Sequence, residues 1–191
     1  MDNYPARERY KNQEEASLYD DLRFTSLKGR IMDYFEKRSI IKCLDKIGKV
    51  ESIMDIPAGT GRITELLLDR AKIIIAGDIS EDMLSIAKKK FQNTPNISYI
   101  KIDVENMALS DNYVECITCV RLMGHVPPDT RIKMLSEMAR VSNKWVIVTY
   151  YFSNIISDLK RSIRRILIKN KAPWYPTTAE DLLREIKSAN L

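Results

Sequence analysis

Residues 53–90 read IMDIPAGTGRITELLLDRAKIIIAGDISEDMLSIAKKK. An apolar run ends in a glycine turn, a run of helical period follows, then a β-branched run, then a second helical run. That alternation predicts βαβ units and a parallel sheet. The Ile-rich runs lack a two-residue polar alternation, as strands buried on both faces do. The same rhythm continues downstream. ISYIKID (97–103), VECITCV (114–120) and KWVIVTYYF (144–152) read as strands, and PDTRIKMLSEMARV (128–141) as a helix with proline at its start. Ser80 is placed to cap the helix of 81–91. Upstream, GRIMDYFEKRSIIKCLDKIGK (29–49) predicts a helix with Ile31, Phe35, Ile41, Leu44 and Ile47 on or near one face, stopped by Gly48. The expected fold is α/β, a doubly wound sheet with five parallel strands.

A chain of 191 residues, 45% hydrophobic, with a net charge of +5, supports one domain with a sizeable core. The expected organisation is a helical lead (1–50), a ligand-binding core (51–151), and a basic helix with a terminal helix (152–191). Ordinary apolar content excludes disorder as the dominant state. No apolar run reaches the ~18 residues of a membrane span. The N-terminus is polar, with no secretory apolar stretch, so the expected compartment is the cytoplasm. Cys116 and Cys119 form a C-x-x-C inside a strand, where an offset of three sends the side chains to opposite faces. With one histidine, His125, and one further cysteine, no metal site is expected.

Right-handed crossovers bring the carboxyl ends of the strands to one edge, where open α/β sheets bind ligands. The first loop there is Asp55-Ile56-Pro57-Ala58-Gly59-Thr60-Gly61-Arg62. Its two glycines allow a sharp turn and close approach of a ligand to the backbone. Asp78 ends the next strand, where an acid accepts hydrogen bonds from a ribose diol. Asp103 ends the one after. Three successive strands thus finish at an aspartate, a more specific feature than any one of them. A nicotinamide site asks for G-x-G-x-x-G, and the third position here is Thr64. An acid just before the loop suits an ammonium better than a pyrophosphate. The set therefore fits a cationic amino-acid nucleoside.

On these segments (IMDIPAGTGRITELL, IIIAGDISEDMLSIAKKK, IKIDVENMALSDNYVECI and EMARVSNKWVIVTYY) the chain resembles the class I S-adenosylmethionine-dependent methyltransferases, from about Tyr19 onward, and most of all their small-molecule branch. The resemblance implies a Rossmann-like sheet and S-adenosylmethionine as cofactor. It places Asp55 and the backbone of Pro57, Ala58, Gly59, Thr60 and Gly61 near the methionine moiety, with Pro57 where the family has a glycine. It gives the ribose to Asp78, the adenine to Ile79, Met83, Asp103 and Val104, and the sulfonium border to Val120 and Arg121. Tyr19 and Arg23 are candidates to cap the cofactor or touch substrate. The implied activity is methyl transfer to a small-molecule or lipid-like acceptor. RNA methylation and an inactive cofactor-binding module are the alternatives.

Such chemistry needs alignment more than a dedicated nucleophile, since the cofactor carries the reactive group. His125, just after the fourth strand, is the candidate general base for a hydroxyl acceptor, and Arg121 a second candidate catalytic residue. The segment DLKRSIRRILIKNK (158–171) follows Ile155 and Ile156, so 155–171 reads as a basic amphipathic helix suited to an acidic surface. The chain shows no added RNA-binding module, and nucleic acid is not an expected partner. Thr177 or Thr178 with Glu180 or Asp181 predicts a capping box before a final helix. By resemblance a sixth strand would begin where that helix ends, so the family's C-terminal β-hairpin is expected to be missing. The fifth strand is then an exposed apolar edge and a candidate for self-association.

Overall fold

A computed structural model describes residues 25–152 and 175–191. The elements run α1 (Leu27–Ile47), β1 (Val50–Asp55), α2 (Thr64–Leu67), β2 (Ala71–Asp78), α3 (Glu81–Lys90), β3 (Ile97–Lys101), β4 (Val114–Cys119), a 3-10 turn (Met123–His125), α4 (Pro128–Val141), β5 (Ser142–Val148) and α5 (Ala179–Ser188). The five strands form one sheet in the order β3-β2-β1-β4-β5, and every pairing is parallel. This is the α/β, Rossmann-like architecture expected from the alternating pattern. The order reverses direction between β1 and β4, which opens the ligand crevice above those two strands.

The sheet is buried on both sides by two apolar clusters. On one side Ile53, Ile74 and Cys116 pack with Ile40 and Leu44 of α1 and Leu67 of α2. On the other, Met54, Ile75, Ile117 and Cys119 pack with Met134, Leu135 and Met138 of α4. Cys116 and Cys119 therefore point to opposite faces, both as free thiols in the core. Burial pushes the Cys116 thiol up to about 12, so it stays protonated and inert.

Three local expectations change. α1 does not bury Ile31, Phe35, Ile41, Leu44 and Ile47 together. Ile40 and Leu44 are its buried residues, whereas Ile31 and Phe35 are exposed. The N-terminal half of its inner side is occupied by Asp33 and Glu36 instead, which pair with arginines of the sheet edge. The helix after the glycine loop is one turn, Thr64–Leu67, because residues 56–63 are spent on the turn itself. β5 stops at Val148 rather than running to Phe152. Beyond it Phe152 bridges Thr177, and Thr177 N–H donates to the Tyr151 carbonyl. The caps hold as read: Ser80 Oγ accepts from Met83 N–H, and Thr178 with Asp181 closes a capping box.

α5 is joined to α4 by a buried ion pair. Arg131 Nε donates to Glu185 Oε1 at 3.0 Å, both side chains being almost fully inaccessible. Tyr150 Oη donates to Glu185 Oε2 at 2.9 Å, and Arg131 Nη1 donates to the Tyr175 carbonyl at 3.1 Å. Removing one partner strands a buried charge, a loss of about 3–5 kcal/mol, whereas replacing both by apolar groups is far milder. Accordingly Glu185→Ala is expected to lower denaturant stability by about 3 kcal/mol or more. The pair Arg131→Met with Glu185→Leu should recover over half of that loss in the same titration.

Candidate functional site

The carboxyl edge is organised around two buried aspartates. Asp78 ends β2 and is 5% exposed. Its Oδ2 accepts from Gly59 N–H at 2.8 Å and its Oδ1 from Ser80 N–H at 2.9 Å. Ala58 N–H donates to the Gly77 carbonyl at 2.8 Å, so the loop after β1 is stapled across the end of β2. Burial raises the Asp78 carboxyl above its ordinary range, opposed by the backbone N–H groups of Ser80, Gly59 and Ile79. Asp55 ends β1 with no exposed surface. Its Oδ2 accepts from Thr64 Oγ1 at 2.7 Å and its Oδ1 from Thr118 Oγ1 at 3.0 Å. Burial pushes its carboxyl up to about 6, against those two hydroxyls and the Arg62 charge, with Asp78 adding to the rise.

The glycines differ in purpose. Gly59 (φ +55°) and Gly61 (φ +81°) are both left-handed. A side chain at Gly61 would strike Phe91 at 2.5 Å, so this glycine lets α3 close on the loop. One at Gly59 would meet nothing within 4 Å, so the loop has open space above it there. Pro57 follows a cis peptide bond, and Ala58 and Thr60 are buried.

The remaining predicted residues surround this loop by way of neighbouring strand ends. Ile79 is half-buried beside Asp78, and Met83 is buried one turn into α3. Asp103 follows β3, half-buried, and its Oδ1 accepts from Glu105 N–H at 3.0 Å in a tight turn next to buried Val104. Val120 is buried after β4. His125 is half-buried in the 3-10 turn. Tyr19, Arg23 and the basic segment 155–171 lie outside the described residues.

Arg121 sits in the left-handed region at φ +63°, which is uncommon away from glycine. Its N–H donates to Thr149 Oγ1 at 2.9 Å and its Nε to Glu36 Oε2 at 2.6 Å. The same Glu36 oxygen accepts from Arg62 Nη2 at 2.7 Å, and Tyr151 Oη donates to Glu36 Oε1 at 3.3 Å. Arg62 also pairs with Asp33. Glu36 thus gathers the ends of β1, β4 and β5 under α1. Neither Glu36 nor the Thr64–Asp55–Thr118 chain was legible in the sequence. Partners 85 and 63 residues apart leave no spacing signal, and the only hint was a hydroxyl residue, Thr118, inside an apolar strand.

A family description reading "Methyltransferase domain" matches residues 53–144, the stretch that holds both aspartates and the loop. Over residues 53–144 the chain is therefore similar to methyltransferase domains, in line with the class I resemblance of its strand ends and glycine loop. A ubiquinone biosynthesis O-methyltransferase of Coxiella burnetii is 28% identical over 121 residues, 62% of this chain and 50% of that protein. A ubiquinone/menaquinone biosynthesis C-methyltransferase of Francisella tularensis is 29% identical over 114 residues, 56% of this chain and 44% of that protein. The chain spans about half the length of the curated relatives it matches. Among solved structures, magnesium protoporphyrin IX methyltransferase from Synechocystis with bound SAH superposes with a TM-score of 0.76 at 12% identity, over 96% of this chain and 86% of that one. The YcgJ protein from Bacillus superposes with a TM-score of 0.65 at 18% identity, over 82% and 68%. These superpositions establish the methyltransferase fold.

Among the described residues of this domain no group of His, Cys, Asp or Glu is arranged to hold a metal ion. The titration of Asp55 carries a signed consequence. Its folded carboxyl stays protonated up to about pH 6, while the ordinary value is 3.8. The stability it contributes is therefore complete below about 3.8 and is lost as the pH rises through about 6. Asp55→Asn is expected to remove that slope, so that between acid and neutral pH it gains on the order of 3 kcal/mol relative to the parent chain. Denaturant titrations of both chains across that range check it, and parallel pH profiles would exclude the assignment.

Proposed function

We propose that the chain is an S-adenosylmethionine-dependent methyltransferase whose acceptor is a small, lipid-like molecule with an apolar ring system. The observation that carries the reading is the seat of Asp78. Its carboxylate is buried at the switch-point crevice, takes backbone N–H groups on both oxygens, and keeps acceptor capacity beyond them. Two adjacent hydroxyls are the natural further donors to a buried carboxylate whose proton affinity is already raised. The open space above Gly59 matches a ligand lying across the loop. The position a dinucleotide site gives to its third glycine is Thr64, whose hydroxyl is engaged on Asp55. That arrangement fits a cationic nucleoside better than a pyrophosphate.

In this reading Asp78 holds the ribose, Ile79 flanks the adenine with Met83 behind it, and Asp103 with the Val104 backbone reads the ring edge. The backbone of residues 57–61 lines the methionine end. Asp55, fully buried beneath the loop, acts at one remove by fixing Thr64 and Thr118, and its charge favours a cationic ligand. When bound, S-adenosylmethionine supplies a methyl group activated on a sulfonium. The chain's own work is to align the acceptor and exclude water, which contributes roughly 7–11 kcal/mol in favourable cases. Arg121 contributes by holding α1 over the crevice through Glu36. His125, in the turn after β4, is the candidate base where the acceptor is a hydroxyl. The acceptor class is supported by the quinone and porphyrin methyltransferases that this chain resembles.

Calorimetric titration with S-adenosylmethionine and S-adenosylhomocysteine tests the reading, with NADH as control. Binding of both nucleosides and not NADH is expected, with at least tenfold weakening, roughly 1.4 kcal/mol, in Asp78→Ala. Equal binding by that variant would remove Asp78 from the site. Cofactor binding without turnover on quinol or porphyrin acceptors would favour an inactive binding module.

Self-association through the edge of β5, the outermost strand of the sheet among the described residues, belongs to the same proposal. Trp145 is exposed on that strand, and Tyr175–Thr177 reaches only the backbone beyond its carboxyl end. A mass that rises with concentration in light scattering, and stays monomeric in Trp145→Lys, is the expected result.

A further inference from the structure

α1 has a second side that the cofactor crevice does not use. Asp33, Glu36, Ile40 and Leu44 recur at helical spacing on its inner side, where they meet arginines or the core. Leu27, Ile31, Tyr34 and Phe35 recur on the opposite side and are 75%, 49%, 56% and 62% exposed. Tyr34 and Phe35 stack edge to face, with ring centroids 5.5 Å apart. Further along the same side Arg38, Lys42 and Lys46 are exposed, and Lys28 and Arg30 are exposed beside the apolar end. Asp33 and Glu36 are held inward by Arg62 and Arg121, whereas Asp45 lies exposed at the C-terminal end of this side and pairs with Arg70. What faces solvent is an aromatic and aliphatic stripe flanked and continued by cations.

We propose that this outer face of α1 docks on the surface of an anionic lipid bilayer. Leu27, Ile31 and Phe35 enter the boundary between headgroups and acyl chains. Tyr34, its Oη accepting from Arg38 Nη1 at 3.0 Å, sits at headgroup level. Lys28, Arg30, Arg38 and Lys42 meet the anionic headgroups, their stems lying along the apolar stripe. The charge pattern selects this occupant. Two copies meeting about a two-fold axis through this face would bring cation against cation. A nucleic acid would leave Leu27 and Ile31 without a partner. The helix lies on the surface and does not enter further, since no helix among the described residues is long and apolar enough to cross a membrane. The contact is independent of methyl transfer and of cofactor binding.

Co-sedimentation of the full chain with phosphatidylcholine vesicles, with and without phosphatidylglycerol, tests this. Binding is expected only where phosphatidylglycerol is present, and it should weaken as salt rises. Ile31→Gln with Phe35→Gln, and separately Arg38→Glu with Lys42→Glu, are each expected to lower the partition constant about tenfold or more. All four positions are exposed, so thermal melting should stay unchanged. Lys72→Glu, the reversal of an exposed cation at the start of β2, serves as a charge control away from α1 and should bind like the parent. Failure of the parent chain to bind overturns the proposal. So does binding undiminished in the α1 variants. So does a loss confined to self-association, seen as a change in mass without a change in lipid partition.

Discussion

Asp78 anchors the arrangement on which the rest of the carboxyl edge depends. One of its oxygens takes the N–H of Gly59 and the other the N–H of Ser80, so a single side chain holds both the loop leaving β1 and the start of α3. Burying a carboxylate is costly unless hydrogen bonds compensate it. The backbone donors provide that compensation and in return fix the loop. The left-handed Gly59 is what brings its N–H round to the acid, and the absence of a side chain at Gly61 is what lets Phe91 pack beneath. The site is thus assembled by constraint on backbone, with little left to side-chain freedom.

Asp55 has a related role one layer down. It is wholly buried, and its two oxygens tie the first turn after the loop, through Thr64, to β4, through Thr118. β1 and β4 are the strands between which the sheet reverses direction, so this chain of three residues closes the base of the crevice. A cationic ligand above would lower the cost of keeping Asp55 ionised, which couples ligand charge to the stability of the loop's foundation.

The chain around the crevice is secured by charges at two depths. Glu36 gathers Arg62, Arg121 and Tyr151 at the partly exposed rim and so seats α1. Arg131 and Glu185 do the same for α5 in full burial, with Arg131 also reaching the Tyr175 carbonyl. The rim pairs keep a small part of their side chains in water, whereas the Arg131–Glu185 pair is almost wholly removed from it and carries the larger penalty if one partner is lost. α1 is also the helix whose outer face carries the exposed apolar stripe.

The order of strands and helices, the five parallel strands, the loop at 55–62 and the aspartates that end β1 and β2 were all readable from the sequence, whereas β3 stops at Lys101, two residues short of Asp103. They rest on short-range pattern: hydrophobic period, glycine position and cap residues act within a few residues of themselves. Which side of α1 is inside was not readable, because both sides carry apolar residues at helical spacing. Ile40 and Leu44 won the core through contact with β1, β2 and β4, and Ile31 and Phe35 were left outside once Asp33 and Glu36 had found Arg62 and Arg121. The sequence alone likewise places Asp55 before a glycine loop, but only the packed sheet sets Thr118 beside it and removes both from water. Local pattern decides which elements form. The burial of charge among residues brought together from 60 or more positions apart is settled only when the sheet closes, since desolvation and pairing exist only in the folded chain.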